Sequence, residues 1–344
     1  MLILAFESSC DETSAAVLDM DRGRREIRAN LVASQIEVHR LYGGVVPEIA
    51  SRAHIEAITS LAKDALTQAD CTLDDIGAIG VTASPGLIGA LLVGVNFAKS
   101  LAYANRIPLV PVNHIRAHVA ASLLAHPTLE PPFLALVVSG GHTTLYAVED
   151  YTTYNLLGGT RDDAAGEAFD KVGRVIGLPY PGGAAMDRLA SLGDPTAVKL
   201  PSPAIPGENL DFSFSGLKTA ALNYLNAEAQ RGTPITSAPD ALEPGRAADL
   251  AASYTDTIVR AIVKKTKLAL RQSGMKTLVL AGGVAANSHL RDALAEMCER
   301  AGVRFCMPPI SLCGDNAAMV GAQAYYEYLA GVRADTALNA SASD

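Results

Sequence analysis

Residues 2–19 read LILAFESSCDETSAAVLD, and their pattern is the strongest indication of the fold in the sequence. An apolar run meets small polar and acidic residues, and SAAVLD then resumes a strand-like pattern, which predicts a strand, a tight turn and a second strand. Residues 133–150, FLALVVSGGHTTLYAVED, repeat this design around a different turn. The two copies share an architecture rather than a close sequence. They indicate two lobes, each beginning with a hairpin whose turn offers free backbone N–H groups.

Helical patterns alternate with further strand patterns along the rest of the chain. Strand, glycine-rich turn and helix follow one another twice, and a short strand leads into a helix that carries two histidines. The alternation predicts the α/β class. These segments are residues 75–104, 276–302, 107–113 with the helix after it, and the final helix at 315–330.

The duplicated hairpins set the expected domain boundaries. We predict an N-terminal lobe over residues 1–126 and a C-terminal lobe over 127–330, whose last helix is able to pack back on the first lobe. Residues 331–344, rich in Ala, Ser and Asp, are expected to be a disordered tail. Two further stretches, 193–211 and 231–246, have the composition of loops.

Composition narrows the class of protein. The 344 residues are 49% hydrophobic and 19% charged, which is ordinary for a globular protein. The start, MLILAF, is too short for a signal peptide, and the longest apolar stretch, GLIGALLVGV, is too short to span a membrane. The five cysteines are scattered without a paired spacing, which is typical of reduced thiols. We therefore expect a cytoplasmic protein with no membrane partner.

The net charge of −8 argues against broad, autonomous binding to nucleic acid, which requires cationic surface. Two local basic runs, RGRREIR at 22–28 and KKTK at 264–267, qualify that argument. Such runs are more often solvated faces of a hairpin or a helix.

Four glycine-rich turns share one design. Glycine lets the backbone approach a ligand closely and present N–H groups to anionic oxygens. Together the turns predict a phosphate-bearing ligand between the lobes, although none matches a P-loop or a dinucleotide fingerprint. The turns are SPGLIGA at 84–90, SGGH at 139–142, YPGG at 180–183 and AGGVAAN at 281–287.

Polar side chains stand beside these turns. Asp170 and Asp187 are candidates for contacts with ribose hydroxyls, and the amide of Asn287 is a candidate for an adenine edge. Each is equally explained as a helix cap or an exposed charge, and for Asp187 alone that explanation is preferred.

The stretch VNHIRAH at 112–118 places His114 and His118 four residues apart, on one face of a helix. Asp315, in SLCGDNAAM, is the best candidate for a third ligand, although an Asp at a helix start is commonly an N-cap. Two histidines and one carboxylate with open positions suit Fe(II) or Zn(II). Position 115 is Ile, so the general base of the H-E-x-x-H metalloproteases is missing.

Nine segments together resemble the tRNA adenosine threonylcarbamoyltransferases of bacterial type, the family formerly called glycoprotease or O-sialoglycoprotein endopeptidase. They span residues 6–319 in the family's order, although many relatives carry Glu at the place of Arg116 and Gly at that of Ala117. The segments are FESSCDETSAAV, GGVVPEIASRAH, SPGLIGALLVG, VNHIRAH, LVVSGGHTTL, DDAAGEAFDKVGRVIGLPYPGG, FSFSGLKTA, AGGVAANSHLR and CGDNAAM.

The resemblance implies a two-lobed actin-like, sugar-kinase/Hsp70-like ATPase fold with a duplicated core and an interlobe nucleotide cleft. It implies transfer of a threonylcarbamoyl group from threonylcarbamoyl-AMP to the adenosine beside the anticodon, in tRNAs reading codons that begin with A. It also implies two protein partners, a non-catalytic paralogue of the same fold and a small P-loop ATPase.

By the same resemblance, one divalent metal, Fe(II) in the first instance and Zn(II) as the alternative, would be bound by His114, His118 and Asp315. The adenylate would be held by residues of the second hairpin and of three later turns. These residues are Val137, Val138, Ser139, Gly140, Gly141, Asp170, Gly183, Asp187 and Asn287.

The acyl donor is a mixed anhydride, so the reaction requires positioning and stabilisation of developing charge more than covalent catalysis. Asp11 and Glu12, in the first turn, are candidates for proton removal or for orienting the acceptor. The competing hypotheses are a metal-dependent glycoprotease, a non-catalytic scaffold, which should lack the histidine pair, and an ATP-hydrolysing kinase of the same fold.

Overall fold

The computed structural model describes residues 1–21, 23–203, 205, 207–232 and 244–343. Contacts divide the chain into two compact units. Unit 1 comprises Met1–Pro131, Val148–Tyr154 and Cys306–Asp344, and unit 2 comprises Pro132–Ala147 and Asn155–Phe305. Everything after residue 305 belongs to unit 1, including the last helix, which we expected to pack on the first lobe. The short segment Val148–Tyr154, at the end of the second hairpin, also belongs to unit 1.

Unit 1 is built on a five-stranded sheet of order β3-β2-β1-β4-β5. The first hairpin is confirmed, since β1 and β2 pair antiparallel with Phe6 opposite Ala15. β4 lies parallel to β1, and β5 lies parallel to β4. The strands are β1 Leu2–Glu7, β2 Glu12–Met20, β3 Arg25–Ser34, β4 Ile76–Ser84 and β5 Leu109–Asn113.

Five helices accompany this sheet, and the last of them lies very close to it. A Cβ placed on Gly80 would lie 2.6 Å from the Cβ of Ala324, and one placed on Gly321 would lie 2.5 Å from Cδ1 of Leu18. Glycine at both positions therefore lets the final helix pack directly on the strands. The helices are α1 Ile36–Arg40, α2 Pro47–Gln68, α3 Ile88–Asn105, α4 His114–Ala125 and, at the far end of the chain, α10 Ala317–Leu329.

The segment after Gly331, which composition led us to expect as a disordered tail, packs on unit 1 over residues 332–343. Ala334 forms a β-bridge with Leu109, and the Ser341 N–H donates to the Ala83 carbonyl over 2.9 Å. Leu338 is partly buried against the core beneath α3. Apolar side chains at intervals in a polar segment were sufficient to anchor it.

Unit 2 is built on a second five-stranded sheet, of order β10-β9-β6-β7-β8. β6 and β7 are neighbours joined by the turn at 139–141, as the second hairpin requires, and β9 lies parallel to β6. The strands are β6 Phe133–Val138, β7 Thr143–Val148, β8 Tyr154–Gly159, β9 Thr277–Ala281 and β10 Arg304–Cys306.

The helices of unit 2 follow the second hairpin and flank β9. They are α5 Ala165–Val175, α6 Gly182–Ala190, α7 Ser215–Gln230, α8 Pro244–Ser273 and α9 Ser288–Ala301. The expected loop at 193–211 has no helix or strand in its described part, whereas residues 204, 206 and most of 231–246 lie outside the described residues. Over the described part of the chain, no helix has the length and apolarity needed to cross a membrane.

Candidate functional site

The metal group, which we define as His114, His118 and Asp315, lies entirely within unit 1. Its candidate ligand atoms all lie within 4.8 Å of one another. His118 Nε2 is 3.1 Å and His114 Nε2 is 3.6 Å from Asp315 Oδ1. The two rings meet edge to face with their centroids 4.6 Å apart.

Local sequence sets this geometry. β5 ends at Asn113, whose side chain accepts hydrogen bonds from the N–H groups of Ile115 and Arg116 and so begins α4 at His114. His118 follows one turn later on the same face. The N-cap explanation of Asp315 is wrong, because Asn316 caps α10 by accepting from the Met319 N–H over 3.0 Å. The Asp315 carboxylate is thus not needed for capping.

The donor set fits a divalent metal. The His118 side chain is 1% exposed, and neither ring nitrogen has a hydrogen-bond partner among the described residues. Nε2 faces Asp315 Oδ1 at 3.1 Å without the geometry of a hydrogen bond, and a buried imidazole so placed is costly unless something binds it. Two imidazole nitrogens and one carboxylate oxygen that converge in this way are donors that Fe(II) and Zn(II) accept.

Glu7 supports this group and was not singled out from the sequence. Its fully buried carboxylate lies 3.0 Å from Nδ1 of His114, leaving Nε2 toward Asp315. Burial opposes ionisation, but His114 and the Thr82 hydroxyl outweigh it and lower the pKa of Glu7. A carboxylate behind a ligating histidine fixes the ring orientation and tautomer. The sequence did contain a signal for Glu7, because a charged residue ends the otherwise apolar strand LILAFE.

Arg116 points away from the metal group. Its guanidinium donates to the Thr152 carbonyl over 3.0 Å and pairs with the buried Glu327 over 3.2 Å, and it lies over the Tyr154 ring. Arg116 therefore attaches the segment Val148–Tyr154 to unit 1. The neighbouring Ile115 is 1% exposed, so the position of the metalloprotease base is occupied by a core side chain.

The acidic turn after β1 is held by a buried histidine network. His54 Nε2 lies 3.1 Å from the Cys10 carbonyl and its Nδ1 lies 2.7 Å from the Thr13 hydroxyl. Glu12 accepts a hydrogen bond from the Ser34 hydroxyl over 2.7 Å. Burial, followed by the charges of Asp11 and Asp315, raises the pKa of Glu12 to about 9.

The second group of expected site residues lies entirely within unit 2. Val137 and Val138 are fully buried, so their contribution to a ligand is limited to backbone groups. Gly140 and Gly141 have open space where a Cβ would stand. Gly166, by contrast, has no such space, since a Cβ there would lie 2.6 Å from the Ser139 carbonyl oxygen.

Asp170 and Gly183 contact each other. Oδ1 of Asp170 accepts from the N–H groups of Gly182 and Gly183 over 2.8 and 3.2 Å, and so supplies the cap that Pro181 cannot give to α6. Both residues thus shape the start of one helix. The alternative role of Asp170 as a helix cap is therefore confirmed for its Oδ1 atom, which caps α6.

Asp187 and Asn287 meet at the start of α9. Asp187 accepts from the Ser288 N–H over 3.1 Å, and Asn287 accepts from the Leu290 N–H over 2.9 Å. Gly282 nearby has φ +93 and would, with a Cβ, lie 2.3 Å from the Val138 carbonyl oxygen. Hydrogen bonds and close approaches therefore form a closed ring within unit 2. This glycine-turn ring runs through the turn 139–141, α5, α6, α9 and the turn at 281–287.

Two α/β units, one with a buried His–His–carboxylate group and one with a ring of glycine turns, define a protein of the actin-like, sugar-kinase/Hsp70-like ATPase fold class. Component A of the (R)-2-hydroxyglutaryl-CoA dehydratase of Acidaminococcus fermentans is similar in fold, with TM-score 0.54 and 15% identity over 96% of this chain and 99% of its own. Full-length HypF in its phosphate- and nucleotide-bound form gives TM-score 0.61 and 15% identity over 100% of this chain and 47% of its own.

The particular family is given by sequence. The chain belongs to the tRNA N6-adenosine threonylcarbamoyltransferase family, whose model matches residues 26–322. A relative of that name from Clostridium botulinum strain 657 is 50% identical over 98% of this chain and 96% of its own length. Another, from Moorella thermoacetica, is 52% identical over 98% of this chain and 95% of its own length.

Proposed function

We propose that this chain transfers the threonylcarbamoyl group of threonylcarbamoyl-AMP to the exocyclic amine of the adenosine beside the anticodon. The tRNA acceptors are those reading codons that begin with A. The observation that carries the proposal is the near-complete match to transferases of this name, at about half identity over 98% of the chain. The intact metal group within the matched region supports it.

His114, His118 and Asp315 would hold one divalent metal, Fe(II) in the first instance with Zn(II) as the alternative. The metal would supply Lewis-acid polarisation of a substrate oxygen. Glu7 keeps His114 in the orientation that a ligand requires, through its contact with Nδ1. The metal group thus depends on Glu7 at the end of β1 as well as on the histidines of α4.

Asp11 and Glu12 stand in the turn that His54 holds in place. The Ser34 hydroxyl fixes Glu12, and its raised pKa favours the neutral acid, so we assign Glu12 to orienting the acceptor. We assign proton removal to Asp11.

The glycine-turn ring would hold the adenylate. Gly140 and Gly141 present backbone N–H groups with no side chain in the way, which suits a phosphate. Ser139 closes the turn, since its N–H donates to the His142 carbonyl over 2.8 Å. Asp170 and Asp187 already accept from the N–H groups at the starts of α6 and α9, so we assign them to the ribose hydroxyls and not to the phosphate. The amide of Asn287 would meet an adenine edge, and Gly183 has open space where a Cβ would stand. Val137 and Val138 set the position of the turn from the buried end of β6.

A mixed anhydride needs little activation, so correct placement accounts for much of the rate. We further propose that the chain works in the cytoplasm with a non-catalytic paralogue of the same fold and a small P-loop ATPase. The scattered free cysteines suit a reducing compartment. The net charge of −8 supports shared presentation of tRNA.

The deciding experiment mixes this protein, its two partners, unmodified tRNA and threonylcarbamoyl-AMP, and measures threonylcarbamoyladenosine by mass spectrometry of the digested tRNA. A tRNA with guanosine in place of the target adenosine is the control and should gain nothing. Release of phosphate from ATP by this chain alone, without modified nucleoside, would favour the kinase hypothesis. Metal-dependent peptide cleavage would favour the protease.

A further inference from the structure

Helix α8 carries four exposed cations on one face. Arg260, Lys264, Lys267 and Arg271 are spaced four, three and four residues apart, which places them along a single stripe. The stripe extends over about 16 Å, with roughly one cation per 5.4 Å turn. We call these four residues the α8 stripe. The KKTK run contributes two of them, whereas Thr266 between them is buried.

The α8 stripe borders a groove of about 840 Å³ between α8 and α9. Val263, Leu270 and Met297 give this groove an apolar floor, and Lys276 and Arg300 add positive charge to its lining. Lys264, Lys267 and Arg271 also line a second groove, of about 440 Å³, whose other side includes the carboxylates of Glu208 and Asp211. The stripe is therefore a cationic ridge with a groove on each side.

The neighbouring carboxylates neutralise only part of this charge. Asp256 pairs with Arg260 over 2.8 Å, and Glu296 pairs with Arg300. Lys264, Lys267 and Arg271 have no carboxylate ion-pair partner among the residues that the structure describes. Three such cations in a row repel one another. An anionic partner that contacts all three relieves this repulsion and gains favourable Coulomb energy from each cation.

We infer that the α8 stripe binds the phosphodiester backbone of the tRNA substrate, an assignment that rests on the proposed function. An evenly spaced row of point charges matches a chain of phosphates, for which lysine is well suited. In a chain of net charge −8, such a row is a local feature and does not follow from a generally basic surface. The groove on either side gives the sugar edges room to lie beside the ridge.

The test compares full-length wild type with the triple variant Lys264→Ala, Lys267→Ala and Arg271→Ala. Alanine on exposed helical positions keeps the helix, which circular dichroism verifies. Binding of unmodified tRNA is measured by fluorescence anisotropy at several salt concentrations. Loss of three phosphate contacts should weaken binding about tenfold or more at low salt. The slope of log K against log salt should decrease by about 2 to 3.

Two further variants make the result specific. Arg52→Ala, Lys63→Ala and Lys199→Ala removes the same charge from other exposed positions and should leave binding and slope nearly unchanged. Lys264→Arg, Lys267→Arg and Arg271→Lys keeps the charge and should restore binding. In the reconstituted transfer reaction, the alanine triple variant should raise KM for tRNA and leave kcat and metal content unaltered.

The outcomes separate this inference from the proposed function. Equal tRNA binding and equal slope in wild type and the alanine triple variant would overturn the assignment, as would an equal loss in the matched control. If the alanine triple variant binds tRNA as well as the wild type but no longer binds an acidic protein partner, the stripe is a site for that partner instead. Absence of threonylcarbamoyladenosine with the wild type would reject the proposed function, whatever the binding data show.

Discussion

The metal group of unit 1 and the glycine-turn ring of unit 2 differ in what they leave available for a ligand. In the metal group, side chains converge and the buried nitrogens of His118 lack hydrogen-bond partners among the described residues. In the ring, the carboxylates of Asp170 and Asp187 already accept from helix N-termini. The metal group therefore offers a ligand its side-chain atoms. The glycine-turn ring offers a ligand backbone N–H groups, whose positions its side chains fix.

This difference predicts how substitutions act. Removing a side chain from the metal group removes a ligand atom directly, which changes the chemistry while the fold remains. Removing a carboxylate from the ring exposes helix N–H groups and shifts the backbone, so stability and ligand affinity change together. The following substitutions test this contrast, in decreasing order of expected effect.

His118→Ala should abolish metal binding and reduce transfer by more than about 100-fold, because a ligand is lost outright. Metal content by mass spectrometry and yield of modified nucleoside are the two readouts. His126→Ala, at the end of the same helix and bonded to the Met307 carbonyl, is the matched control and should keep the metal. A metal-free His118→Ala protein with normal transfer would contradict a catalytic metal.

Glu7→Gln should weaken metal affinity about 10- to 100-fold, since the amide keeps the shape but loses the charge that orients His114. Competition with a chelator measures the change. Thr82→Val removes a hydroxyl that donates to Glu7 and should have a smaller effect in the same direction. Unchanged affinity in Glu7→Gln would show that Glu7 is only a structural acid.

Asp170→Ala should cost about 1 kcal/mol of stability, because α6 loses the acceptor for two N–H groups. Adenylate binding should weaken in parallel, whereas metal content should not change. Denaturant unfolding and calorimetric titration with AMP separate the two effects. Loss of metal in this variant would break the contrast between the regions.

Asp162→Asn should have the smallest effect, below about 1 kcal/mol, since the residue is exposed. Partial burial opposes ionisation, but hydrogen bonds from Ser213, Phe214 and Ser215 outweigh it and hold the pKa of Asp162 below its ordinary range. Its contribution is therefore present above the unfolded pKa of about 3.9 and is lost as pH falls through the lower folded value. Thermal unfolding of the wild type and of Asp162→Asn across this pH range should show that their difference in stability vanishes in acid. A difference in stability that grows in acid would contradict the assigned role of the Asp162 carboxylate.

Elements that depend on residues close together in the chain could be predicted from the sequence. The hairpin from residue 2, the α/β alternation and the pairing of His114 with His118 all follow from spacing of two or four residues. Asp315 was identified as a ligand candidate, but only the structure distinguishes it from an N-cap, because Asn316 takes that role. The choice between two adjacent polar residues depends on backbone angles that sequence does not specify.

Apart from the return of the last helix and the third metal ligand, long-range contacts could not be predicted from the sequence. Glu7 and His114 are separated by 107 residues, and Asp170 meets Gly183 across a helix and a turn. The last segment has the composition of a disordered tail, yet Ala334 and Leu338 are anchored on unit 1. Composition measures how much apolar surface a segment has, whereas docking depends on whether a complementary surface is present elsewhere.

The assignment of residues 306–344 to unit 1 has a consequence for synthesis on the ribosome. β1 and β2 emerge before unit 2, whereas α10, which packs on them through Gly321, emerges after it. Asp315 emerges shortly before α10, so the ligand set of the metal group is incomplete until unit 2 has been made. The nascent first unit must therefore wait for unit 2 to be translated, and until then the sheet face that α10 covers stays exposed.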